Sequence, residues 1–383
     1  MRVGLATRRP HRGETADVIR PVLDPNGAAV VLGGAVDGPV VPLAPAAHTL
    51  FGPRGVCLMA PSGPLVVCDT GHHRLLVWSR IPEVDDAPAD LVIGQPDFAS
   101  EGRNGRGAVG PASLNVPTGV AAADGMLAVA DAWNHRVLVW HGVPTRPNQP
   151  ADVVLGQADF QSSAANRGFT APRADTLNWC YGVAIHEGRL LVADTGNRRV
   201  LVWNRVPTAH GAPADLVLGQ PGFAARDESA GGAPGGNGMR WPHALMALGD
   251  GLAVADAGHS RVTVWRRFPQ SSDRPRDLVL GRSDRAPGAA SLNQPFGLAA
   301  LEGRLIVADT ANSRLLGFAV HGGHVAEEAD SLSGQLAFDA NGENRWGPMR
   351  RDTLSWPYGI AACGSLMAVA DTGNNRVLLW RAA

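Results

Sequence analysis

The 383-residue sequence predicts an all-β fold, a six-bladed β-propeller with four antiparallel strands per blade and a last blade closed by an N-terminal strand. Three observations predict it. The segment "VCDTGHHRLLVW" recurs as "VADAWNHRVLVW", "VADTGNRRVLVW", "VADAGHSRVTVW", "VADTANSRLLGF" and "VADTGNNRVLLW", with aspartates at Asp69, Asp131, Asp194, Asp256, Asp309 and Asp371. Their spacing of 62, 63, 62, 53 and 62 residues marks one supersecondary unit repeated along the chain. Each unit reads as short β-branched strands between Gly and Pro turns, with no helical period. Finally, the sixth unit ends at "RVLLWRAA" without a fourth strand, while "AAVVLGG" (28–34) resembles the missing "ADLVLGQ".

Within a unit, a P-x-G start opens a small apolar strand such as "PTGVAAA". A glycine turn leads to "LAVAD", a tight D-x-x-x-x-R turn to "RVLVW", and a Pro-rich connection to "ADLVIGQPDF". Blades are expected at roughly 53–98, 117–160, 180–223, 242–284, 295–338 and 357–383 plus 28–34, forming one domain. An N-terminal strand in the last blade joins the chain ends and removes an open sheet edge.

Composition narrows the function classes. A formal net charge of −1 favours neither nucleic acid nor an anionic membrane as partner. All 34 basic residues are arginine, and the Ala, Gly and Pro excess suggests a GC-rich bacterial genome. "MRVGLATRRPHRGETADVIRPVL" has no apolar core of a secretory signal, and no run is long enough to span a bilayer. Cys57, Cys68, Cys180 and Cys363 lack C-x-x-C spacing, so reduced thiols in a soluble, cytoplasmic, monomeric protein are expected.

The D-[TA]-x-[NH]-x-R-[VL]-x-[VL]-W turns together with the P-x-G starts resemble NHL repeats. The likeness covers nearly the whole chain and implies a six-bladed propeller, agreeing with the repeat count. It implies little about function, since such propellers include RNA-binding and protein-binding modules, sensors and a few enzymes.

The repeated Asp and Arg read as scaffold, because every unit carries the pair. The Trp four residues after that Arg (Trp78, Trp140, Trp203, Trp265 and Trp380, with Phe318 in the fifth unit) reads as inter-blade packing. His72, His73, His135 and His259 sit where other units place Asn, Arg or Ser, and read as tolerated surface polarity. Cys57 and Cys68 read as two small buried side chains on adjacent strands.

Antiparallel alternation puts the P-x-G starts, the D…R turns and the long connections on one face, with x at the channel mouth. Those x residues are Arg54, Thr118, Tyr181, His243, Phe296 and Tyr358. Diversity at this position, in an otherwise monotonous repeat, points to a ligand or partner site read from six directions. The opposing reading is that these side chains plug the channel. Five of the six units place Pro before x, and "LNWCYGVA" places Cys180 there. A Cys180–His243 pair could make a nucleophile, whereas simple replacement of a dispensable Pro is the plainer account. The polar connections carry Arg103, Arg106, Arg167, Arg345, Arg350 and Arg351, interspersed with acids. The shorter fourth connection, "RSDRAPGAASLNQ", could leave a notch over blade five.

The leading expectation is therefore a module binding a protein partner or small ligand at the channel mouth, without cofactor or metal. The alternative is an enzyme of lyase or hydrolase type, with His243, Tyr181, Cys180 and Tyr358 as candidate catalytic residues. "WPHALMAL" around His243 resembles peptidylglycine amidating lyase. That likeness would imply zinc held by histidines from several blades, and the matching positions here are Arg, Thr, Tyr, Phe and Tyr. RNA binding stands third, disfavoured by the near-zero charge.

Overall fold

The computed structural model describes residues 19–34, 37–38, 44–233, 236–272, 274–281 and 286–383. It consists of six sheets, each ordered from an inner to an outer strand. Blade three runs Cys180–His186, Arg189–Asp194, Arg199–Trp203 and Leu216–Leu218, all antiparallel. In blade six the outer strand is Val30–Leu32, which pairs antiparallel with Arg376–Arg381 in the register Val31↔Leu378. The expected closure is thus present. The N-terminal segment also reaches further than the sequence suggested, since Arg20–Pro21 adds a parallel strand outside Ser331–Ser333 of blade five. Residues 1–18, 234–235 and 282–285 lie outside the described residues. They include most of the N-terminal stretch examined for a leader, the expected end of blade four and the start of the connection behind the proposed notch. Among the described residues no helix is long and apolar enough to cross a membrane.

The core lies between the sheets, because each strand is apolar on both faces. Val137 and Val139 of blade two pack with Val192, Leu201 and Trp203 of blade three. At the closure, Val30 and Leu32 pack with Val56, Leu65 and Trp78 of blade one. The repeat tryptophans are buried in these layers, and Trp203 Nε1 donates to the Ala212 carbonyl at 3.0 Å. Cys57 and Cys68 share one such layer as free thiols.

Each D…R turn is a short 3-10 turn held by a buried ion pair. In blade three, Arg199 Nε donates to Asp194 Oδ2 at 2.7 Å, and Asp194 Oδ1 accepts the Asn178 N–H. Arg199 Nη1 donates to the Phe223 carbonyl, and Nη2 to those of Arg173 and Thr176. One guanidinium therefore ties the connection entering the blade to the one leaving it. The planar fork of Arg suits such a junction and Lys would not span it.

The turn histidines require a correction: they occupy two distinct positions, neither of them indifferent surface. His72 and His259 stand where the other turns have Asn, and each ring Nδ1 bonds the turn aspartate. His73 and His135 adopt left-handed backbone and accept an N–H from the next blade. The bonds are Val116 N–H to His73 Nδ1 and Trp179 N–H to His135 Nδ1, both 3.0 Å. Ser260, Ser313 and Asn375 make the same inter-blade latch through side-chain oxygens. Blade three has Arg198 there, which has no acceptor, and Trp241 N–H turns to Asp256 Oδ1 instead.

In blades two to six the inner strand slips register at its start, between Cys180 and Gly182 in blade three. Such a bulge re-aims a side chain, and the displaced residue is the x of P-x-G. The glycine that follows allows adjacent inner strands to converge. A Cβ on Gly182 would lie 1.7 Å from the His243 carbonyl oxygen, and one on Gly359 would lie 2.2 Å from that of Arg54.

Candidate functional site

The bulges of blades two to six, with the start of blade one, bring the six x residues to the mouth of the axial channel. His243 stacks on Tyr181 with ring centroids 5.0 Å apart and planes 6° apart. Its other face meets Phe296 at 4.5 Å, and Phe296 meets Tyr358 at 4.5 Å. The Arg54 guanidinium carbon lies 5.1 Å from the Tyr358 ring centroid, a cation–π contact. Thr118 behaves differently: it is buried, and its hydroxyl donates to the Tyr181 carbonyl at 3.0 Å, joining blades two and three.

This aromatic stack forms a septum between two cavities. Below it the axial channel encloses about 370 Å³, lined by the inner strands. Above it a bowl of about 400 Å³ is lined by Trp179, Trp241, Arg198, Thr195 and Gly196. Arg54, Tyr181, His243, Phe296 and Tyr358 face both cavities, whereas Thr118 lines only the channel. Plug and candidate site are therefore the same residues: the side chains that obstruct the channel form the floor of the bowl.

His243 is 8 % exposed. Burial holds its pKa down to about 4, with the nearby Arg54 charge acting in the same direction. Its Nδ1 faces the Trp241 carbonyl at 3.0 Å, so the proton sits on Nδ1 and Nε2 carries the lone pair. At neutral pH the ring is a neutral acceptor. Burial raises the Tyr358 phenol above its usual range, with Arg54 partly opposing.

Cys180 does not join this ring. It is wholly buried in the core between blades two and three, with its thiol donating to the Arg136 carbonyl at 3.2 Å. Burial, reinforced by Asp194 and Asp131, raises its pKa well above the ordinary thiol value. The pairing of Cys180 with His243 envisaged from sequence is replaced by a structural bond. Among the described residues no cluster of three or more His, Cys, Asp or Glu is placed to hold a metal.

Sequence reasoning overlooked the rim. Trp179, Trp241 and Trp356 each precede the Pro or Cys of their unit and are 50, 40 and 40 % exposed. Trp179 and Trp356 sit at φ 47° and 51°, a left-handed conformation uncommon for a bulky side chain. The signal was present in "NWCYG", "RWPHA" and "SWPYG", one position before the residues that drew attention. Arg198 was hidden too, because its singularity lies in what its five equivalents do.

Six four-stranded blades about a channel with an aromatic mouth define a β-propeller with a candidate site on its loop-rich face. The NHL repeat model matches residues 52–78 and 114–140, so the first two blades carry NHL repeats. It is 25% identical over 351 residues to NHL repeat-containing protein 2 of Bos taurus, covering 82% of this chain and 44% of that protein. The chain thus spans less than half the length of that relative. A structural-genomics protein of unknown function from Bacteroides thetaiotaomicron is similar in fold, with TM-score 0.54, 14% identity and coverage of 93% of this chain and 75% of that one. A streptogramin B lyase structure aligns at TM-score 0.45 and 9% identity, over 91% of this chain and 97% of that one.

Proposed function

We propose that this chain is a binding module whose ligand occupies the bowl above the septum. The observation that carries this reading is the bowl itself, about 400 Å³ of space walled by aromatic rings from several blades. Ligand pockets usually enclose roughly 300–1,000 Å³ and are mostly apolar with a few convergent polar groups. A small molecule, or one group presented by a protein partner, suits that size. Nucleic acid gains no support, because Arg167, Arg240 and Arg345 of the loops pair with Asp175, Glu228 and Asp352. Saturation-transfer NMR with a small-molecule library tests the reading. Hits on the wild type that vanish in Trp241→Ala are expected; hits indifferent to that change would remove the bowl as the site.

One observation favours a second reading, an enzyme using the same mouth. His243 presents a neutral Nε2 in an enclosed aromatic site, as a general base requires. Cys180 is too buried to act as nucleophile, so such an enzyme would activate water or a group of the substrate. His243→Phe separates the readings, since it would abolish turnover while preserving the stack.

A further inference from the structure

We infer that the ligand of the bowl is a planar aromatic anion, with Arg54 and Arg198 as its charge partners; the inference rests on the mouth reading above.

The first observation is a charge imbalance. Among the described residues no Asp or Glu lines either the bowl or the channel. Arg54 and Arg198 both line the bowl, both are only partly exposed, and neither has a carboxylate partner among the described residues. The arginines of the repeat turns behave otherwise, each pairing with its turn aspartate. A partly desolvated cation without a counter-charge is costly, and an anion entering the site supplies what the protein omits. The ring face of Tyr358 beneath Arg54 offsets only part of that cost.

The second observation is the place of Arg198 in the repeat. Its equivalents His73, His135, Ser260, Ser313 and Asn375 all latch onto the following blade. Arg198 gives up that bond. Its Nη1 donates to the Arg226 carbonyl at 2.9 Å, and its Nε is buried without a hydrogen-bond partner. A buried N–H left unmade is expensive. The guanidinium as a whole is only partly buried and borders the bowl, where a carboxylate or phosphate oxygen is the acceptor that its planar fork best accommodates.

The third observation fixes the body of the ligand. Trp179 and Trp241 form the bowl wall, and the Tyr181–His243–Phe296 stack forms its floor. Such surfaces take flat rings by stacking, and Nε2 of neutral His243 can accept one hydrogen bond from the ligand.

The test is calorimetric titration of the full chain with 2-naphthoate, 2-naphthyl phosphate and the uncharged 2-naphthamide. The anions are expected to bind at least about tenfold tighter than the amide, the scale of one charge-assisted hydrogen bond. Whichever anion binds tighter assigns the head group. Arg198→Ser should weaken both anions by about tenfold and leave the amide unchanged. Because Ser is the latch residue of blades four and five, this variant should melt no lower than the wild type, so lost binding would not reflect unfolding. Arg54→Gln should act in the same sense. Amide binding equal to that of the anions, and insensitive to both variants, overturns the anion inference while leaving the bowl as the site. No saturable binding of any probe, or binding indifferent to Trp241→Ala, overturns both.

Discussion

The imidazole of His243 lies flat on the Tyr181 ring, 5.0 Å between centroids and 6° between planes. A charged imidazolium in this place would be poorly solvated and would sit close to Arg54, so the stack depends on a neutral ring. By NMR the His243 ring protons should titrate with a midpoint at about 4, against an ordinary value of 6.5. A midpoint near the ordinary value would mean that water reaches the floor of the bowl. His243→Phe should keep the thermal stability, whereas His243→Ala should lose about 1–3 kcal/mol, as expected for deleting a packed ring.

The inter-blade latches make stability pH-dependent. His73 and His135 accept backbone N–H groups through Nδ1, which requires that nitrogen to be unprotonated. Burial lowers the pKa of both, that of His135 from 6.5 to about 4. In the unfolded chain both groups titrate normally. Above the unfolded pKa neither state binds the proton and the contribution is complete. As pH falls from 6.5 towards about 4, the unfolded chain takes up protons that the folded one refuses, and stability declines. Below the folded value the decline from His135 stops. Urea midpoints across this window should therefore fall with acidity, and His135→Asn, which imitates Asn375, should flatten the curve. A wild-type curve with no slope there would contradict the latch.

How much of this was legible in the sequence depends on whether a position repeats. The blades, the closing strand and the Asp–Arg pairs repeat, so periodicity exposes them. The x positions were found because they break the pattern on a face that alternation could assign. Their merging into one stack could not be read, since ring orientation depends on the bulge at each strand start. For Cys180 the plainer account, replacement of a Pro, agrees with its place: residues adjacent in sequence point apart on a strand, so its thiol enters the core, bonded to the Arg136 carbonyl, while Tyr181 turns to the channel. Arg198 was missed because an absent latch has meaning only once the other five are seen.

The buried ion pair of each turn is a junction rather than a simple attraction. Arg199 makes four hydrogen bonds, to Asp194 and to the carbonyls of Phe223, Arg173 and Thr176. Arg199→Ala should leave the Asp194 carboxylate buried without its partner and cost about 3–5 kcal/mol in denaturant unfolding. Arg199→Lys should rescue little, because one ammonium cannot reach both connections at once. Substantial rescue by Lys would show that charge alone matters here and that the fork geometry does not.

Ring closure offers the last test. Val31, at 1 % exposure, packs with Ile306 and Leu315 of blade five, while its neighbours Val30 and Leu32 pack against blade one. The closing strand therefore contributes to the cores on both sides of blade six. Asp85 fastens it from the following blade: its carboxylate accepts the Val31 N–H at 2.9 Å and pairs with Arg351. Arg351 in turn donates to the Ala28 carbonyl at 3.0 Å. Val31→Asp should place an unpaired charge between two blades and cost several kcal/mol, on the order of 3 or more. Asp85→Ala, at the partly exposed end of the same network, should cost about 1–2 kcal/mol. Protease sensitivity should rise first at the closing strand and at the final strand it pairs with, Arg376–Arg381. If both variants melt like the wild type, with no new cleavage there, the N-terminal strand is an accessory to a ring already closed by its other contacts.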